Sequence, residues 1–116
     1  MKTHLLALLS LFCIGTASAQ TPRDERIARA VERMDDGDYD EAARLLESVL
    51  AADPKNFLAN YETGYLLYMQ ERYEEAVEVL RRIKRKDYPP LYQLLGNAYD
   101  MAGDRKRAVK TYEKGL

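Results

Sequence analysis

Cysteine and histidine each occur once in this sequence, as Cys13 and His4, and tryptophan does not occur. Both single residues fall in a stretch that reads as a cleavable leader. It has one lysine, an apolar run from Leu5 to Ile14, and Ala17-Ser18-Ala19 before Gln20. The run is too short to cross a bilayer, for which about 20 residues are needed. Phe12 stands before Cys13 where a lipoprotein requires a small residue. The expected product is therefore a signal peptide, residues 1–19, and a mature chain, residues 20–116, with no integral membrane segment.

Residues 20–116 contain no cysteine, no histidine and a single serine, Ser48. A disulfide, a thiol nucleophile, a zinc site of the usual ligands and a histidine general base are thereby excluded from the mature chain. Carboxylates are plentiful. Yet Asp35, Asp36, Asp38 and Asp40, like Glu74, Glu75 and Glu78, sit in turns or on wet helix faces, where no desolvation tunes a catalytic pKa. The expectation is a protein that is not an enzyme and takes no cofactor or metal.

Helical periodicity is strongest in the middle of the chain. Leu58, Tyr61, Tyr65 and Tyr68 recur three or four residues apart and share one face, while Ala59, Leu66 and Leu67 form a second apolar stripe beside it. A helix apolar on two sides must be covered on more than one. The next segment is more ordinary. Tyr73, Ala76, Val77, Leu80 and Ile83 keep helical spacing, with Glu74, Glu75, Glu78, Arg81 and Arg82 opposite, and predict a helix ended by the basic residues 81–86.

Similar segments lie on either side. GDYDEAARLL, ERYEEAVEVL and GDRKRAVKTY align on Ala42, Ala76 and Ala108, spaced 34 and 32 residues apart. In the third copy Tyr92, Leu95, Gly96, Tyr99, Ala108 and Tyr112, followed by Gly115, match the spaced pattern of the tetratricopeptide repeat, which the chain resembles. In the second copy Gly64, Leu67, Ala76 and Leu80 match, whereas Asn60 and Thr63 depart. In the first, Ala30, Ala42, Leu46 and Pro54 match, and Arg26, Arg29 and Arg33 replace large apolar residues as in a capping repeat. The resemblance implies an all-α fold, a right-handed α-solenoid of about three helix-turn-helix repeats and six helices, over residues 23–55, 56–88 and 89–116. Gly64, Gly96 and the three alanines are expected where helix backbones approach closely.

Turn chemistry agrees with that division. Gly37 and Gly103 suit the left-handed residue that ends a helix, and Asp38 and Asp104 suit the next N-cap, with Glu41 in capping-box spacing after Asp38. Glu71 stands where the glycine is expected and predicts a strained or loosened turn. Tyr88-Pro89-Pro90 predicts an extended entry, with Pro90 in the first turn of the last helix pair.

Charge is divided between the halves. Residues 20–78 hold 7 Lys or Arg against 15 Asp or Glu, and residues 79–116 hold 10 against 4. No basic face is interleaved with exposed aromatics, so no nucleic-acid partner is expected. In the family resembled, the first helices of successive repeats line a concave groove. By alignment the groove positions are Leu58, Tyr61, Tyr65, Tyr68 and Met69 in the second repeat, and Gln93, Asn97, Asp100 and Met101 in the third. Leu95 is placed in the core, and the tyrosines are expected to be free for a partner. Since none of these groove positions is Lys or Arg, the resemblance implies an apolar or helical ligand and not a terminal carboxylate.

The function expected is a protein-interaction module binding a peptide or partner helix through this tyrosine-rich groove in an extracytoplasmic compartment, the bacterial periplasm fitting best. The alternative is a structural or assembly subunit of a cell-envelope complex acting through exposed repeat ends. Apolar groups on the last helix pair, ringed by Lys106, Arg107, Lys110 and Lys114, predict weak head-to-tail homo-oligomers.

Overall fold

A computed structural model describes residues 21–116; the expected leader, residues 1–19, lies outside them. Six helices follow one another: α1 Thr21–Asp35, α2 Tyr39–Ala52, α3 Phe57–Met69, α4 Tyr73–Leu80, α5 Pro89–Met101 and α6 Arg105–Lys114. Short connections between apolar helices leave an antiparallel neighbour as the only partner within reach. Accordingly α1 pairs with α2, α3 with α4 and α5 with α6. The three hairpins stack into an all-α helical repeat solenoid.

Each hairpin closes on a small residue. Ala42, Ala59, Ala76, Ala98 and Ala108 are buried to within one per cent. A methyl group added at Gly64 would lie 2.3 Å from Leu80 Cδ2, and one at Gly96 would lie 2.3 Å from Tyr112 Cε1. In each pair the residue that fills the gap follows the hairpin alanine by four positions, one turn along the same face. In the first hairpin Ala30 and Leu46 take the corresponding positions within one core cluster.

Two clusters form the core. The first joins α1, α2 and α3 through Ile27, Ala30, Met34, Leu46, Val49 and Leu66. The second joins α4 and α5 through Val77, Leu80, Leu91 and Leu94, with Phe57, Tyr61, Leu67 and Tyr68 of α3 packed against it. The double apolar pattern of α3 is thus explained: it walls both clusters. Arg29 is exposed and Arg26 and Arg33 are half-buried on α1, whose inner face is made by Ile27, Ala30 and Met34.

The three turns inside the hairpins are alike. Gly37, Glu71 and Gly103 have φ of 80°, 62° and 89°. The next amide in each turn donates back across the helix end, Asp38 to Arg33 at 2.8 Å, Arg72 to Leu67 at 2.9 Å and Asp104 to Tyr99 at 2.8 Å. This is the hydrogen-bond pattern of a helix ended by a left-handed residue. Asp38 and Asp104 cap the following helices by accepting from the amides of Glu41 and Arg107. The Glu41 side chain turns instead to Arg44, so the reciprocal half of the capping box is not made. Asn56 caps α3 in the same way, accepting from Ala59 at 2.9 Å.

Glu71 therefore strains its turn but does not loosen it. Left-handed backbone costs an L-residue roughly 1–2 kcal/mol, part of which glycine returns through its greater freedom when unfolded. Glu71→Gly should raise the free energy of unfolding by about 0.5–1 kcal/mol in chemical denaturation. An unchanged or lowered midpoint would show that the turn carries no such strain.

One helix is shorter than its spacing predicts. α4 stops at Leu80, and Ile83 lies half-buried in the connection. Continuing the helix would set Arg81 against Lys84 and Arg85, and Arg82 against Arg85 and Lys86, at i,i+3 and i,i+4, where like charges repel. The basic residues consequently follow the helix end and do not belong to its last turn. Tyr88, with φ −127° and ψ 90°, then gives the extended entry that Pro89 and Pro90 require.

Candidate partner-binding groove

First helices of neighbouring hairpins touch, α1 with α3 and α3 with α5, whereas α2, α4 and α6 make no comparable contact with one another among the described residues. Helices that approach on one side and spread on the other give a curved array, with α1, α3 and α5 on the inner side.

The residues expected to line that side fall into two groups. Leu58, Tyr65 and Met101 are open to solvent, at 46%, 40% and 53% of their full exposure. Gln93 and Asp100 are exposed as well, Asp100 lying 3.6 Å from Arg105. Asn97 is half-buried, its side-chain oxygen accepting from the Tyr112 hydroxyl at 2.6 Å and from Gln93 Nε2 at 3.3 Å. That oxygen ties α5 to α6.

Tyr61, Tyr68 and Met69 depart from the expectation that they stand free. Tyr61 meets the Tyr88 ring edge-on at 5.4 Å and lies 6.2 Å from Phe57 in a near-parallel stack. Tyr68 meets Tyr73 of α4 at 5.4 Å. Met69 packs on the first cluster. The physical reason is that α3 has a core on each side, so both of its stripes are consumed except where Leu58 and Tyr65 project between them. Truncating Tyr61 or Tyr68 therefore removes core contacts, contrary to the free tyrosine stripe expected from spacing. Leu95, assigned to the core, is only half-buried, and its neighbour Leu94 takes the interior place at 5% exposure.

Burial, with repulsion from Tyr88, Glu62 and Tyr65, pushes the Tyr61 hydroxyl up to about 12. Burial also raises Glu62, with the Asp35 carboxylate of α1 adding to it. Desolvation and the like charge of Asp35 both disfavour the ionised form of Glu62.

A feature that periodicity missed joins α3 to the irregular connection. Phe57 meets Tyr88 edge-on at 5.0 Å, and the Arg85 guanidinium stands 4.5 Å from the Phe57 ring centre and 5.8 Å from that of Tyr88. An arginine over an aromatic face gains about 0.5–1 kcal/mol at an exposed site. The sequence signal was weak, one arginine within a basic run and one tyrosine before two prolines. Among the described residues no three side chains converge as metal ligands, and no helix is long and apolar enough to cross a membrane.

The profile of the Tetratricopeptide repeat family matches residues 27–90, and a second profile of the same description matches residues 89–116. No curated protein matches the chain in sequence. Among solved structures, MamA AMB-1 superposes with a TM-score of 0.69 at 20% identity, over 85% of this chain and 55% of the other. A double mutant of MamA RS-1 gives 0.72 at 24% identity, over 92% and 61%. MamA MSR-1 gives 0.68 at 20%, over 85% and 58%. The chain spans less than two thirds of the length of these proteins, and at such identities the likeness is one of fold.

Proposed function

Because the chain belongs to the tetratricopeptide-repeat family, we propose that it is a non-catalytic interaction module whose inner side receives a peptide or a helix of a partner protein. The observation that carries this reading is the exposure of Leu58 and Tyr65 on a helix that buries its other apolar groups in two cores. With Met101 on α5, which borders the α3–α4 turn at Glu71 and Arg72, they offer apolar anchors. Glu62 stands one turn from both Leu58 and Tyr65 on α3. A ligand of matching chemistry is an amphipathic segment whose apolar residues seat on Leu58, Tyr65 and Met101. Tyr is favoured at such faces because it offers large area with few rotatable bonds.

A photo-crosslinking residue placed at Tyr65 should capture a discrete partner in cells, and one placed at exposed Glu113 of α6 should not. Against the captured protein, Leu58→Ala with Tyr65→Ala should weaken binding by about tenfold or more, as for anchors at an interface centre. The melting temperature should stay near that of the parent, since both side chains are open. Adducts from Glu113 alone, or binding untouched by the double change, would move the site off the inner side.

Residues 1–19 support export, through their lysine, apolar run and Ala17-Ser18-Ala19. The proposed compartment is extracytoplasmic, with the mature chain starting at Gln20. Amino-terminal sequencing of exported protein should read Gln20 first, and Met1 on that material would sink the assignment.

A further inference from the structure

The connection between the second and third hairpins, residues 81–88, differs from the others in being long, irregular and basic. Arg81, Arg82, Lys84, Arg85 and Lys86 are all exposed around half-buried Ile83. A cleft opens on each side of Ile83. One, of about 640 Å³, has Phe57 and Val79 in its wall; the other, of about 680 Å³, has Leu80, Leu91 and Leu95. Ile83, Lys84 and Arg85 border both. Recesses of this size hold ligands of several apolar groups.

Counter-ions here are few. Arg81 and Arg82 share the single carboxylate of Glu78, at 3.1 and 3.4 Å, and Arg85 meets Asp87 at 3.1 Å. Lys84, Lys86 and, across the second cleft, Lys114 form no ion pair among the described residues. Arg85 is held over Phe57 and Tyr88, so one cation of the rim is fixed in place. The result is a pair of apolar recesses under a cationic lip. It lies where α4 ends and α5 begins, and neither Leu58 nor Tyr65 lines it.

We propose that this recess is a second docking site, taking an acidic amphipathic peptide segment of a partner protein. Apolar side chains of the segment enter the clefts on the two sides of Ile83, and its carboxylates meet Lys84, Lys86 and Lys114. Charge complementarity selects an anion, and the recess selects a segment with side chains long enough to enter it. A flat anionic bilayer would touch the lysines but could not enter clefts whose reachable apolar walls are half-buried Phe57, Val79, Ile83 and Leu95. The site is independent of Leu58 and Tyr65 and stands or falls separately from the inner-side reading.

The test uses a short fluorescein-labelled peptide of glutamate with leucine at every third or fourth position, followed by anisotropy with the mature protein. Binding is expected, weakening as salt is raised. Lys84→Glu with Lys86→Glu, both exposed positions whose folding is checked by circular dichroism, should weaken it by about tenfold or more. Leu58→Ala with Tyr65→Ala should leave it unchanged. An all-glutamate peptide should bind far more weakly. The proposal is overturned if the peptide does not bind, if a lysine counterpart binds equally, or if the charge-reversed variant keeps its affinity. Loss of binding in the Leu58 and Tyr65 variant would assign the peptide to the inner side instead. Capture of the protein by phosphatidylglycerol vesicles without peptide binding would assign the lysines to a membrane surface.

Discussion

Leu80→Ala should lower the free energy of unfolding by about 3–4 kcal/mol, within the range for emptying a fully buried leucine site. Leu80 has no exposed surface and fills the space left by Gly64 in the facing helix. It also belongs to the cluster that carries Val77, Leu91 and Leu94, so its loss opens a cavity shared by two hairpins. A small domain has only about 5–15 kcal/mol in total. The melting temperature should accordingly fall by on the order of 15 °C. A fall of less than a few degrees would show that α4 relaxes into the space and that the close crossing at Gly64 is not what orders this hairpin.

The opposite change, filling a space that must stay empty, should also destabilise. Gly96→Ala gains up to about 1 kcal/mol of helix propensity, and overpacking costs about 1–3 kcal/mol. The added methyl would overlap the Tyr112 ring, with Cε1 at 2.3 Å, Cδ1 at 2.5 Å and Cζ at 2.9 Å. That ring has little room to swing, since its hydroxyl donates to Asn97. The net expectation is a loss of about 1–2 kcal/mol in denaturant titration, growing with Gly96→Val, where the branched side chain adds both volume and χ1 restriction. If Gly96→Ala costs little in a Tyr112→Ala background, the clash is the cause; if the two costs simply add, it is not. An alanine variant more stable than the parent would mean that propensity wins and the crossing is loose.

The hairpin frame was legible in the sequence because its determinants are local and repeated. Ala42, Ala76 and Ala108 mark the crossings, and Gly37, Gly103, Asp38 and Asp104 mark the turns by chemistry that needs no tertiary information. Periodicity misled at two places. Apolar spacing ran on to Ile83, yet the helix stops at Leu80, because spacing does not register the repulsion of five cations in six residues. On α3 the two apolar stripes looked like one for the core and one for a partner. Both serve cores, since which stripe is covered depends on α1 and α5, helices distant in sequence. Only Leu58 and Tyr65 of that stripe remain open. The aromatic contact of Arg85 with Phe57 could not be read at all, because no period connects a helix to an irregular segment.

The double wall made by α3 has a consequence for how the array comes apart. In a linear stack each unit is coupled only to its neighbours, and the stability of the whole is close to a sum of unit terms and junction terms. Here the unit at the centre contributes Ala59 and Leu66 to one junction and Phe57, Tyr61, Leu67 and Tyr68 to the other. Opening either end strips one flank of α3, and losing both leaves only the α3–α4 hairpin, whose longer helix has thirteen residues. An isolated helix of that length is marginal in water. The two ends therefore share a single cooperative element, and events that loosen one are felt at the other without any residue linking them directly. A ligand seated on Leu58 and Tyr65 would press on that shared element, tightening both junctions at once.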